Sequence, residues 1–175
     1  MRQISAGQES ALTRLLELHG SSLKSLILRL MAWHPDSDDV FQEVLVKVWN
    51  RAGAFTASGP LDGWLKRIAV NEVQNHFRTA NRFKKLMDRF AEKLAGSLPN
   101  DAESRPNQVD WKSDLADALG KLNAKDRTAV VLFYLEGMTG QETADLMQIR
   151  LESLHVKLSR ARKKLKSILS DTEAT

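Results

Sequence analysis

No cysteine occurs in these 175 residues. Disulfides, zinc-thiolate sites and thiol redox switches are therefore excluded within the chain. Long apolar runs are also missing: none approaches the ~18 residues that a spanning helix needs. No membrane insertion is expected. The opening residues, MRQISAGQES, lack the apolar core of a secretory signal. A reducing, cytoplasmic setting is the expected compartment. The four histidines (His19, His34, His76 and His155) are scattered and make no metal-ligand spacing. There is no Gly-rich phosphate loop and no nucleophile with a base at useful spacing. Asp38 and Asp39 could be offered as metal ligands, but adjacent helical residues do not face one another. The expectation is a protein without catalytic residue, metal, cofactor or small-molecule substrate, and hence not an enzyme.

Period-two alternation is absent as well, so strands are not expected. What remains is helical periodicity along almost the whole chain. Hydrophobic content of 42% supports packed cores, and 27% charged residues suit a water-exposed surface. The net charge is only +4, but it is unevenly spread. Residues 36–43 (DSDDVFQE) are acidic, residues 64–93 are rich in Lys and Arg, and residues 94–117 turn acidic again. Such blocks suggest basic surfaces for a polyanion and an acidic helix for another partner.

The expected fold is all-α, with two small helical domains. Residues 8–32 read as two helices meeting near Gly20. A helix capped by Asp36 or Ser37 runs through Asn50, with Phe41, Val44, Leu45, Val48 and Trp49 inward. Asp39, Gln42, Glu43, Val46 and Lys47 face out. A loop over 52–63 leads to a helix from Leu61 to about Asn81, which continues as basic helix to residue 94. Trp64, Leu65, Ile68, Ala69, Val73 and Phe77 form its apolar side. Residues 95–110 (AGSLPNDAESRPNQVD) have the small, polar, Pro-containing composition of a linker. The domains are thus 1–94 and 111–175. Helices over 111–122 and 124–136 follow, the second capped by Asn123 and ended at Gly137.

Residues 139–165 carry the most information. Thr139 and Glu142 form a capping box. Gln148–Ile149–Arg150 breaks the helical rhythm. Leu154, Leu158, Ala161, Leu165 and Ile168 then mark one stripe of a second helix. A short helix, a turn and a basic helix are the arrangement that lays a helix into a DNA major groove. Opposite the stripe stand Glu152, Val156, Ser159, Arg160 and Lys163. Val156 suits a thymine methyl, and Glu152 could accept from cytosine N4. Arg150, Lys157, Arg162 and Lys164 sit at the flanks, where phosphate contacts belong.

DSDDVFQEVLVKVW (36–49), then Phe55, Trp64–Ala69 and Asn71, then a Pro-containing linker, then a helix-turn-helix ending SRARKKL, resemble a bacterial RNA polymerase sigma factor of the extracytoplasmic-function group. The resemblance covers nearly the whole chain in order and spacing. It implies a non-enzymatic factor that docks on core RNA polymerase (β′ and β subunits) and directs initiation at promoter DNA. It assigns polymerase docking to Asp39, Gln42, Glu43, Val46, Lys47 and Trp49. It assigns capture of the opened −10 strand to Phe55, Thr56, Ser58, Arg67, Asn71, Arg78 and Arg82, with His76 on the same helix. It assigns −35 reading to the helix with Arg150, Glu152, Ser153, His155, Val156, Lys157, Ser159, Arg160 and Lys163. An anti-sigma factor is an implied partner. Lys66, Val70 and Asn75 depart from commoner family choices, as do Thr143, His155 and Gln148, the last standing where a turn glycine is usual. The competing reading is a helix-turn-helix regulator that binds DNA without polymerase. A helical enzyme or a pure interaction module is the other, and the missing catalytic constellation argues against the enzyme.

Overall fold

A computed structural model describes residues 1–56, 59–94 and 111–173, with side chains described for 1–56, 59–87 and 114–168. All the regular structure among the described residues is helical. In chain order the helices are α1 (Arg2–Ser5), α2 (Glu9–Met31), α3 (Ser37–Arg51), α4 (Leu61–Leu94), α5 (Trp111–Gly120), α6 (Ala124–Val130), α7 (Gly140–Leu146) and α8 (Leu151–Glu173). A 3₁₀ turn, Ala52–Ala54, follows α3, and a π-helical turn, Val131–Leu135, extends α6. The expected linker lies outside the described residues.

Helix α2 corrects one expectation. The chain does not break at Gly20 but runs through it as one helix. Gly20 falls in phase with the apolar stripe Leu16, Leu23 and Ile27, and it is buried. Packing on this face outweighs the ~1 kcal/mol that glycine costs inside a helix. The helix ends in a Schellman motif, with Ala32 N–H on Arg29 O (3.2 Å) and Trp33 N–H on Leu28 O (2.8 Å). Ala32 and Trp33 both hold positive φ, 50° and 54°. Two consecutive non-glycine residues in this region are strained, and the fully buried Ala32 shows that packing holds them there.

Helices α2, α3 and α4 pack around Leu26, Ile27, Leu30, Val40, Val44, Val48, Leu65 and Ala69. The α5–α8 group packs around Leu119, Leu132, Ala144, Leu154, Leu158 and Ala161. The two groups touch. Glu136, at the end of the π turn, lies 2.5 Å from Arg29 of α2 and 3.1 Å from Lys66 of α4. The Arg127 guanidinium of α6 sits 5.0 Å from the ring centre of Phe77 on α4, a cation–π distance.

The caps follow the sequence. Asn123 accepts from Asp126 N–H at 2.9 Å, and Gly137 takes φ +65° where α6 and its π turn end. Thr139 Oγ1 accepts from Glu142 N–H at 3.2 Å, while Glu142 Oε2 accepts from Thr139 N–H at 2.8 Å. The capping box is present as read.

Candidate docking and nucleic-acid interfaces

Val40, Val44 and Val48 recur every four residues and bury the inner side of α3. The opposite side therefore presents Asp39, Gln42, Glu43 and Val46 to solvent. Val46 is 57% exposed, an apolar centre in an acidic face. Two further residues that the resemblance assigns to docking, Lys47 from the outward face and Trp49 from the inward one, pack against the protein itself. Lys47 Nζ turns to the buried Glu72 carboxylate of α4 at 3.7 Å. Trp49 is half-buried and packs on the core. Both brace α3 against its neighbours rather than stand free.

The second site lies where the 3₁₀ turn, the loop before Pro60 and α4 converge. Phe55 and Trp64 stack edge to face with ring centres 5.6 Å apart. With Thr56 and Arg67 they line one wall of a cleft of about 380 Å³. Met138, Glu142 and Asp145 line the other wall. Ser58 lies outside the described residues. Along α4, Arg67, Asn71, Arg78 and Arg82 share one side, because their spacings return to nearly the same helical angle. Arg67, Arg78 and Arg82 are exposed and Asn71 is half-buried. Val70 is buried, so its departure from a polar family choice is met by core packing. Lys66 is taken up by Asp62 at 3.0 Å and by Glu136. Burial works to lower its pKa, but hydrogen bonds to Asp62 and Glu136 outweigh it and hold the ammonium above its ordinary value.

The third site is α7 and α8. Gln148, between them, has φ +55°. Its N–H bonds Asp145 O at 3.2 Å and Ile149 N–H bonds Ala144 O at 3.0 Å, a Schellman closure built without glycine. The turn thus keeps its geometry at the cost of local strain. Thr143 is fully buried, and its hydroxyl has no hydrogen-bond partner among the described residues. On α8, Leu154, Leu158 and Ala161 are buried, and Leu165 and Ile168 half-buried, as the stripe predicts. Arg150, Glu152, Ser153, His155, Val156, Ser159 and Lys163 are exposed, and Lys157 is half-buried. Val156 is 62% exposed.

Arg160 departs from the expected free outward position. Its Nε and Nη2 each lie 2.8 Å from a carboxylate oxygen of Asp126. This bidentate pair ties α8 to the start of α6. Burial acts to raise the Asp126 pKa, but the hydrogen bonds from Arg160 and then Asn123 hold it below its ordinary value. Reading α8 alone missed this partner, because Asp126 is remote in sequence and carries no local signal beyond its place after the Asn123 cap. Glu136 was missed for the same reason. So was a cluster in which His34, Asp36 and His76 place one donor atom each within 4.8 Å of the others. The histidine spacing gave no sign of it, because the fold, not a motif, brings them together.

The chain therefore sets a helix with an acidic outer face, an aromatic cleft beside the Arg-bearing side of α4, and a helix-turn-helix along one sequence. Residues 15–83 match the family described as Sigma-70 region 2, and residues 112–165 match Sigma-70, region 4. The chain belongs to the sigma-70 family. It is 29% identical over 178 residues to the RNA polymerase sigma factor CnrH of Cupriavidus metallidurans, spanning 98% of this chain and 93% of that protein. It is 23% identical over 174 residues to the ECF RNA polymerase sigma-E factor of Haemophilus influenzae, spanning 95% of this chain and 92% of that one. Its fold is similar to that of CnrH solved in complex with the cytosolic domain of CnrY, with a TM-score of 0.64, 25% identity and coverage of 97% and 94%. These relatives place it in the extracytoplasmic-function group. A sigma factor directs polymerase to promoters, and that is the function of this protein. No described helix is long and apolar enough to cross a membrane.

Proposed function

We propose that residues 1–94 form the unit that docks on core polymerase and opens the −10 element, and that residues 111–175 form the unit that reads −35. The outward face of α3 carries the first role. Asp39, Gln42 and Glu43 surround the exposed Val46, which suits a basic, partly apolar helix of the polymerase. The cleft with Phe55, Thr56 and Arg67 and the side of α4 with Asn71, Arg78 and Arg82 carry the second. An unpaired base needs a stacking surface and its phosphates need cations. The outer face of α8 carries the third, with Val156 and Glu152 at base edges and Arg150, Lys157 and Lys163 at phosphates. Arg160 acts through Asp126 by holding that helix in place.

The protein works in the cytoplasm, carries no catalysis of its own, and is restrained by an anti-sigma factor until needed. The relative CnrH has been solved bound to another protein, the cytosolic domain of CnrY. The closed packing adds a condition. Glu142 and Asp145 face the same cleft as Arg67, and two carboxylates repel a nucleic-acid strand. Strand capture therefore requires the two helical groups to separate. The acidic face of α3 is the single observation that favours a polymerase-bound factor over a free helix-turn-helix regulator, which has no use for it. Co-elution with core polymerase, together with promoter-specific run-off transcription by the reconstituted pair, tests the reading. A chain that binds −35 duplex but neither co-elutes nor supports initiation would overturn it.

A further inference from the structure

The turn between α2 and α3 carries an arrangement that the promoter reading leaves unused. Asp36 holds the N-cap position of α3, yet its side chain makes no capping bond. An aspartate there ordinarily accepts from the first turn. Here the carboxylate turns instead toward two imidazoles. Asp36 Oδ2 lies 3.7 Å from His34 Nδ1 and 3.3 Å from His76 Nε2. The imidazole rings of His34 and His76 stand 6.0 Å apart between centres.

Three further features prepare the cluster. The main-chain N–H of Asp36 donates to His34 Nδ1 at 3.2 Å, so that nitrogen carries a lone pair rather than a proton. His34 is held by the strained Ala32–Trp33 turn, and its carbonyl accepts from Ser37 Oγ and Ser37 N–H. His76 is steadied by the edge-to-face contact with Phe77 at 5.6 Å. The donors come from two elements, yet all three stay partly open to solvent, so an ion could reach them and keep water in its remaining positions.

We propose that His34, Asp36 and His76 form a binding site for a divalent transition metal, with zinc as the best-suited ion. Two neutral imidazoles and one carboxylate are a donor set for borderline ions, not for calcium or magnesium, which take oxygen. In a tetrahedral zinc site with ligands at about 2.0–2.2 Å, neighbouring donors stand roughly 3.3 Å apart. The two carboxylate–imidazole separations, 3.7 and 3.3 Å, are already at or near this edge length. Binding exchanges the Asp36 N–H bond on His34 for the metal, and rotation of the partly exposed side chains closes the remaining gap. The ion would fasten the start of α3 to α4, fixing the docking helix relative to the helix that lines the cleft.

The test is titration of the full chain, stripped with chelator, with zinc chloride followed by calorimetry and thermal unfolding. The expected result is one equivalent bound, a rise in Tm at excess zinc, and cobalt substitution giving visible d–d absorption. His76→Asn and His34→Asn should each weaken binding at least tenfold and remove the Tm rise. His19→Asn and His155→Asn should leave both unchanged. Far-ultraviolet circular dichroism without metal shows whether each variant folds. Should His76→Asn misfold, Asp36→Asn supplies the same test. Absence of saturable binding, or binding that survives in the His34, Asp36 and His76 variants, would overturn the site and leave an ordinary histidine–aspartate ion-pair cluster.

Discussion

Glu136 Oε1 lies 2.5 Å from Arg29 Nη2, and this pair joins helices that belong to different regions of the family. The Glu136 side chain is only 7% exposed, and its other oxygen takes Lys66. One carboxylate thus neutralises two cations at the seam. Glu136→Lys should place a third cation there and open the chain while each helical group keeps its own core. The loss at the seam should be about 2 kcal/mol, below the ~3–5 for a fully buried partner, because Arg29 stays partly hydrated. Small-angle scattering should show a larger radius of gyration with unchanged helicity. A superimposable scattering profile would mean that this pair does not hold the closed form.

Asp39→Arg and Glu43→Arg should each abolish binding to core polymerase and leave the fold intact. Both side chains are exposed on α3, so reversal costs little packing. Against a basic partner helix, each places like charges together, a cost of several kcal/mol. A pull-down titration reads the affinity. Val44→Asp is the contrasting variant: it buries a charge at a fully buried position and should unfold the region instead.

The elements were legible where a local rule sets them. The Thr139–Glu142 capping box, the Asn123 cap and the Leu154–Leu158–Ala161 stripe all rest on spacings within a turn or two. The Gly20 break was misread because glycine's local cost competes with a stripe that stays in phase through it, and packing won. Long-range pairs were not legible. Lys47 meeting Glu72, Arg160 meeting Asp126 and His34 meeting His76 depend on how helices cross, which no spacing within one helix records. On α3, the outward placement of Asp39, Gln42, Glu43 and Val46 and the inward placement of Trp49 could be read from periodicity alone, while the pairing of Lys47 with Glu72 could not.

Thr143→Val should stabilise the protein. The Thr143 side chain is buried and its hydroxyl unpartnered among the described residues, whereas valine keeps the shape and removes the polar atom. A gain of about 1 kcal/mol follows from relieving an unsatisfied buried group, or roughly 2–4 °C in Tm for a chain of this size. Thermal unfolding measures it. A drop in Tm would show that the hydroxyl is bonded in solution.

The Asp126–Arg160 clamp should make the α6–α8 contact acid-sensitive. Asp126 is depressed below its ordinary 3.8 in the folded protein, so folding favours the charged carboxylate. That stability is present above the unfolded value and is lost as pH falls through the folded one. Asp126→Asn should therefore be less stable than the parent at neutral pH, and the difference should shrink below pH 3.8. Urea unfolding across the acid range checks this. A difference that does not vary with pH would assign the contribution of Asp126 to packing alone.

Val156 offers the sharpest test of the −35 reading. It is 62% exposed, while Leu154 and Leu158 on either side are buried, so packing within its own domain does not account for it. An apolar side chain on the outer face of a major-groove helix fits a thymine methyl. Val156→Ala should then weaken one position of the −35 site by roughly 1 kcal/mol, the low end of the ~1–3 for a specific base contact. Thermal stability should not change, since no core atom is removed. Lys163→Ala should instead weaken every sequence alike and flatten the salt dependence, as loss of a phosphate contact does. Selection from a randomised −35 library by both variants separates the two behaviours. If Val156→Ala leaves every base preference in place, Val156 does not touch a base, and the outer face of α8 meets DNA through its cations alone.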